Sequence, residues 1–306
     1  GRYRGHVTGM IGILGAGSLG RLWGAMLPNG CVAFVAKPGE PTDSSVDYRF
    51  RPFEGPESSI QIPFLTTGDT PDLMLVTTKA GDTLSAVAGV IDQLPVDIPI
   101  LLFQNGLGSQ QAVAERWPER PILAATTTEG ANRPEPGLLV HAGTGDTWVG
   151  PLTEQARFSV DRAVAMLEDS GLAIHREPAI LQRLWQKLIV NAGINPYTAI
   201  LNCPNGDILS AGLYQNTIDE LCRELSELMS AAAQITETPD SLRQRIEQVA
   251  QNTAGNTSSM RADVLRKRQT EIDFINGYLA KLGKELGIDT PVNQMLTERV
   301  QQLSSH

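Results

Sequence analysis

The sequence predicts an α/β protein in two parts, a mostly parallel sheet over residues 1–178 and an all-helical domain over 179–306. Three observations carry this. Short β-like runs alternate with helical stretches through the first part, a glycine-rich turn follows the first of those runs at once, and from about Ala179 the pattern changes to long helical periods.

The elements follow in order. Strands are expected at Met10–Leu14, Val32–Ala36, Leu73–Thr77, Ile100–Phe103 and Ile122–Thr126, with further β character around Val140 and at Trp148 and Val149. Helices are expected near Gly20–Leu27, Leu84–Gln93, Gln110–Arg116 and Val160–Ser170. This alternation implies βαβ units. The segment Gly137 to Gly150, an apolar run, Gly-Thr-Gly-Asp and a second apolar run, reads as a hairpin added at a sheet edge.

Composition excludes several function classes. The 306 residues suffice for about two domains of ~150 residues each, with no need of disulfide staples. A formal net charge of −9 argues against a nucleic-acid partner, which calls for a basic surface. No apolar run approaches the ~20 residues of a membrane span. Gly1 to Gly9 carry Arg2 and Arg4 but no apolar core, so they do not read as a signal peptide, and cytoplasmic residence is expected. Cys31, Cys203 and Cys222 read as small buried hydrophobes. His6, His141, His175 and His306 have no Cys or Glu at ligand spacing, so no metal site is expected, and His141 reads as a hydrogen-bonded packing residue. Chemistry must therefore run on Lys, Glu, Asn, Ser or a bound cofactor.

The glycine turn is Gly15-Ala16-Gly17-Ser18-Leu19-Gly20. Strand before and helix after it make a Rossmann-type dinucleotide-binding domain the expectation. Gly15 allows the turn, Gly17 lets backbone approach a pyrophosphate, and Gly20 permits close helix–strand packing. The following helix offers free N–H groups to a phosphate. After the second strand, where NAD sites place an acid, stands Lys37. It reads either as a cation for the 2′-phosphate of NADP or as an ordinary solvated lysine, and Glu40 or Asp43 remains within reach of a ribose hydroxyl. Lys79 and Asn105 end two further strands, on the side where open α/β sheets bind ligands. Each reads either as a polar contact or as ordinary surface and turn chemistry.

In the second domain, Lys187, Asn191 and Asn195 fall at i, i+4 and i+8 on one helical stripe, and the residues between them are apolar. Such a helix is buried with its polar line facing a cavity, or carries a structural polar network. A lysine so placed is partly desolvated and suited to proton transfer. Pro196 is expected to end the regular run. A second helix is expected over about Asn256 to Lys284, with Ser259 and Asp263 on one face and Glu271 beside the stripe Phe274, Ile275 and Tyr278. Asp263 reads either as a partner of Ser259 or an arginine, or as functional.

Together these residues carry a resemblance. Trp185-Gln-Lys187 through Asn191, Asn195-Pro196, Asn202-Cys-Pro and Asn205-Gly206 is similar to the W-x-K-x-x-x-N-x-x-x-N-P-x-T-A signature of ketopantoate reductases. Asn256-Thr-Ser-Ser259 followed by Thr270-Glu271-Ile-Asp273-Phe-Ile-Asn276-Gly277 is similar to that family's second signature. The resemblance runs over nearly everything from Met10 onward. It implies NADPH-dependent reduction of 2-dehydropantoate to pantoate on the pantothenate and coenzyme A route. Lys187 would be the general acid, and Glu271 would bond the substrate and help place the lysine. Asn105, Asn191, Asn195, Asn205, Asn256 and Ser259 would bind substrate. Gly15, Ala16, Gly17, Ser18, Leu19, Gly20, Lys37, Lys79, Asn105 and Glu271 would be reached by the cofactor. Lys37 stands where many members have arginine, which keeps the charge and loses the planar fork. A reductase of another 2-keto acid, or an NADPH-binding sensor without catalysis, shares many of these features; a monomer or a homodimer is expected.

Overall fold

The computed structural model describes residues 9–41, 44–66 and 68–304. Asp43, His6, His306 and Gly1 to Thr8 of the N-terminal stretch lie outside the described residues. The chain forms two compact units. One holds the described residues up to Gln104 together with Ser109–Ile180; the other holds Asn105–Gly108 together with the described residues from Leu181 onward.

The first unit runs β1 (Ile11–Leu14), α1 (Ser18–Met26), β2 (Val32–Phe34), β3 (Ser45–Arg51), β4 (Ser58–Pro63), β5 (Leu73–Val76), α2 (Ala80–Ala88) and β6 (Ile100–Leu102). It continues with α3 (Ser109–Arg116), β7 (Ile122–Thr127), β8 (Gly130–Glu135), β9 (Leu138–Gly143), β10 (Asp146–Pro151), α4 (Val160–Glu168) and β11 (Ala173–Arg176). Seven strands form one sheet in the order β11-β10-β7-β6-β5-β1-β2, parallel throughout except where β10 meets β7. Strands β1 and β5 are buried along their whole length, as apolar runs covered on both faces must be. On one face Ile13, Leu75 and Leu101 pack with Leu22 and Trp23 of α1. On the other, Leu14, Met74 and Leu102 pack with Val87 of α2 and Val113 of α3.

A second sheet was not expected from the sequence. Its order is β4-β3-β9-β8. Its sequence signal lies in Ser45–Arg51, where Val46, Tyr48 and Phe50 are buried and Asp47, Arg49 and Arg51 exposed, the two-residue period of a half-buried strand. The expected Gly137–Gly150 hairpin does not form. The hairpin is β8–β9, turning at Pro136-Gly137, where Gly137 takes φ +76°. The Gly-Thr-Gly-Asp segment instead hands the chain from one sheet to the other: β9 pairs with β3, and β10 pairs with β7 and β11. Thr128 explains the exit, because its amide donates to the Asp146 carbonyl and its hydroxyl accepts from the Asp146 amide. The Gly145 amide also donates to the buried Glu129 carboxylate, which holds His141 at 3.1 Å.

The second unit is helical, with α5 (Ile180–Leu201), α6 (Gly212–Ala233), α7 (Pro239–Asn252), α8 (Ser259–Leu265), α9 (Asn276–Leu286) and α10 (Pro291–Ser304). Among the described residues no helix is long and apolar enough to cross a membrane. Cys222 is buried on α6, whereas Cys31 and Cys203 are only half-buried, so the expectation of three buried cysteines holds for one.

Two expectations for this unit are corrected. Helix α5 does not stop at Pro196 but continues to Leu201. Proline at that position removes the N–H that would bond the Ala192 carbonyl. The buried Asn276 side chain supplies the missing donor, its Nδ2 donating to Ala192 O at 3.2 Å. Asn276 in turn bonds Asn293, and Asn293 bonds Glu224, which also accepts from the Val292 and Asn293 amides at the start of α10. Second, Asn256 to Lys284 is no single helix: α8 ends at Leu265, a short 3₁₀ turn covers Ile272–Phe274, and α9 starts at Asn276. Lys267 in the left-handed region, φ +57°, ends α8. Glu271 therefore sits in a break between helices.

Candidate active site

The glycine turn is built as a phosphate cradle requires. Gly15 takes φ +115°, a conformation that L side chains rarely adopt. A Cβ on Gly20 would stand 2.0 Å from the Gly15 carbonyl, so α1 can begin only with glycine there. Gly17 faces open space, with nothing within 4 Å of a Cβ built on it. Gly17 caps α1 without a side-chain hydrogen bond, which leaves the first-turn N–H groups of Ser18 and Leu19 to an incoming anion. Thr77, just past β5, donates from its hydroxyl to the Gly15 carbonyl at 2.8 Å and fixes the turn from the neighbouring strand. Lys79 caps α2 and is exposed.

Lys37 follows β2 in a tight turn, its backbone N–H donating to the Glu40 carboxylate at 2.8 Å while its side chain is exposed. The Glu40 carboxylate is thus engaged by Lys37's own amide. Gly15, Ala16, Lys37 and Glu40 line one cavity of about 410 Å³ with Arg21, Phe34 and Asp47. The sequence reading passed over Arg21; its only signal was a cation one residue after the last glycine of the turn. These residues fit a dinucleotide: open backbone at Gly17, free helix N–H groups and a pocket bearing cations at the end of β2.

In the second unit, α5 carries Lys187, Asn191 and Asn195 half-buried on the stripe expected of them, while Leu188, Ile189, Ala192 and Ile194 are buried. Lys187 Nζ donates to Asn105 Oδ1 at 3.2 Å. Burial lowers the lysine pKa, and the nearby Glu271 carboxylate partly restores it. Asn105, Lys187 and Glu271, distant in sequence, are thus brought together.

The other expected residues divide. The Asn205 amide donates to the Asn256 carbonyl at 3.0 Å, and its side chain donates to Thr253, so Asn205 and Asn256 share one loop junction. Asn256 and Ser259 are exposed. It is Ser258 that is buried, capping α8 through the Arg261 amide and bonding the Thr198 hydroxyl of α5 at 2.7 Å. Asp263 is half-buried on α8. Asn276, inside a quoted signature but assigned no role, completes α5 below the polar stripe.

A doubly wound, mostly parallel sheet with a glycine turn after its first strand, followed by a helical unit holding a desolvated lysine, defines a Rossmann-type dinucleotide-binding class of two-domain proteins. The family profile described as "Ketopantoate reductase PanE/ApbA" matches residues 11–154, and "Ketopantoate reductase PanE/ApbA C terminal" matches 179–304. The chain is 35% identical over 296 residues to the 2-dehydropantoate 2-reductase of Vibrio cholerae, covering 96% of this chain and 97% of that one. It is 31% identical to that of Archaeoglobus fulgidus, covering 96% and 98%. Among solved structures, a probable 2-dehydropantoate 2-reductase of Bacillus subtilis superposes with a TM-score of 0.80 at 27% identity, over 96% of this chain and 99% of that one. D-mandelate dehydrogenase with NADH and anilino(oxo)acetate has a TM-score of 0.83 at 24% identity, covering 96% and 98%, a likeness of fold. The chain belongs to the ketopantoate reductase family.

Proposed function

We propose that this chain reduces 2-dehydropantoate to pantoate with NADPH, Lys187 serving as general acid. The observation that carries the reading is the desolvated Lys187, bonded to Asn105 and beside Glu271. The cofactor, when bound, supplies a hydride to the keto carbon. Charge then grows on the ketone oxygen, and a positioned cation that can also give up a proton stabilises it. Lys187 Nζ is that group: desolvation favours release of its proton, and Glu271 keeps it protonated until the reaction needs it. Asn105 accepts one N–H of the ammonium and fixes its place beside the substrate. Asn191 and Asn195 present amides along the same face of α5 for the substrate's carboxylate and hydroxyl, with Asn205, Asn256 and Ser259 as further polar contacts. Gly15 to Gly20 hold the pyrophosphate, Lys37 favours the 2′-phosphate, and Lys79 and Asn105 contact the nicotinamide half.

The test is NADPH absorbance with 2-dehydropantoate, alongside a panel of other 2-keto acids and with NADH as control. Fast decay with 2-dehydropantoate and slow decay with the panel supports the reading. Preference for another keto acid replaces the substrate, and the absence of decay with every acid overturns the enzyme reading. Lys187→Ala is expected to lower turnover by about 10²- to 10⁴-fold while the chain stays folded.

A further inference from the structure

We infer that Arg21 is a second cation for the 2′-phosphate of NADPH, acting with Lys37 to select between the two nicotinamide dinucleotides. This rests on the dinucleotide reading of the first unit. Arg21 lines the same cavity as Gly15, Ala16 and Lys37. Its backbone is clamped, because the buried Tyr48 hydroxyl donates to the Arg21 carbonyl at 2.6 Å. Its guanidinium lies over the Tyr48 ring, 5.4 Å from the centroid. Stacking of this kind orients the planar fork and leaves its edge for hydrogen bonds.

Arg21 Nε is buried without a hydrogen-bond partner, and among the described residues no carboxylate pairs with the guanidinium. Arg49, Arg51, Arg162, Arg176, Arg223 and Arg243 by contrast each bond a carboxylate. The two acids lining the cavity are otherwise engaged: Glu40 accepts from the Lys37 amide and Asp47 from the Ser45 hydroxyl at 2.6 Å. Lys37 likewise has no ion pair among the described residues. Among the described residues these two cations have no paired anion, and they line one cavity beside β2, where a Rossmann domain holds the adenosine ribose, so they match a dianionic ester there. The arrangement also accounts for Lys37 serving without the fork of an arginine: Arg21 supplies the bidentate contact.

The experiment is equilibrium binding, followed by NADPH and NADH fluorescence, to the wild type, Arg21→Gln, Arg21→Lys and Lys37→Gln, with 2′,5′-ADP and 5′-AMP as competitors. Arg21→Gln is expected to weaken NADPH and 2′,5′-ADP by about ten- to a hundredfold, the range for a charge-assisted hydrogen bond, leaving NADH and 5′-AMP within about twofold. Should Arg21→Gln melt early, Arg21→Lys carries the test, with a smaller loss confined to the two 2′-phosphate ligands. Equal losses for NADPH and NADH would assign Arg21 to the pyrophosphate and overturn the inference, as would unchanged NADPH binding. A wild type that binds neither dinucleotide instead removes the reading on which the inference stands.

Discussion

Lys187 Nζ donates to Asn105 Oδ1 across 82 residues of sequence, and the loop that presents Asn105 is held by the turn that follows Glu271. The Leu107 amide donates to the Phe274 carbonyl at 2.9 Å. Gly106, at φ +76°, passes so close that a Cβ there would stand 2.1 Å from the same carbonyl. One short segment, Glu271 to Phe274, thus supplies the charge beside the lysine and the anchor for its hydrogen-bond acceptor. Three predictions test the roles proposed for this arrangement and for the glycine turn, and one tests the fold beneath it.

Glu271 raises a lysine pKa that burial lowers. Glu271→Gln removes the raising charge, so the Lys187 pKa falls further. A general acid must be protonated, so its activity is lost as pH rises through that pKa. The basic limb of the kcat/KM profile is expected to move to lower pH in Glu271→Gln. An unmoved limb detaches Glu271 from Lys187.

Asn105 and Lys187 should act as a unit. Asn105→Ala is expected to lower turnover by about ten- to a hundredfold, the equivalent of one hydrogen bond to a charged group at ~1.5–3 kcal/mol. In the Lys187→Ala background the same change should cost little more. Additive losses in the cycle would show the pair to be uncoupled.

The Asn276 bond to Ala192 is needed only because residue 196 is proline. Asn276→Ala is expected to destabilise the fold by roughly 1–3 kcal/mol in chemical denaturation, the cost of orphaned buried groups. In Pro196→Ala the backbone N–H returns, so Asn276→Ala should then cost less. Equal costs in the two backgrounds would place the role of Asn276 elsewhere, in its bond to Asn293.

Gly17 and Gly20 look alike in sequence and differ in space. Gly20→Ala must displace the Gly15 carbonyl and should lower the melting temperature. Gly17→Ala meets nothing and should melt like the wild type, yet weaken dinucleotide binding by narrowing the approach to the N–H groups of α1. Unweakened binding in Gly17→Ala would remove the pyrophosphate from that turn.

What the sequence determined by itself is whatever local chemistry dictates. Apolar runs such as Leu73–Val76 specify buried strands, Gly15 to Gly20 specify a turn between strand and helix, and the spacing of Lys187, Asn191 and Asn195 specifies one polar stripe on an apolar helix. These are properties of neighbours along the chain, set by backbone sterics and periodicity. Tertiary structure decided what depends on partners far apart in sequence. Pro196 reads as a helix end until Asn276, 80 residues later, satisfies the buried carbonyl that the proline leaves without a donor. The runs flanking Gly-Thr-Gly-Asp read as a hairpin until Thr128 sends the second one to another sheet. Glu271 reads as a helical residue, whereas the turn after it is tied to a loop far back in the chain, the Leu107 amide donating to the Phe274 carbonyl. Local preference is worth about 1 kcal/mol or less for most residues and ~3 kcal/mol for a proline inside a helix, so it yields where long-range hydrogen bonds and buried faces act together, and the union of Asn105 with Lys187 is decided by such distant contacts.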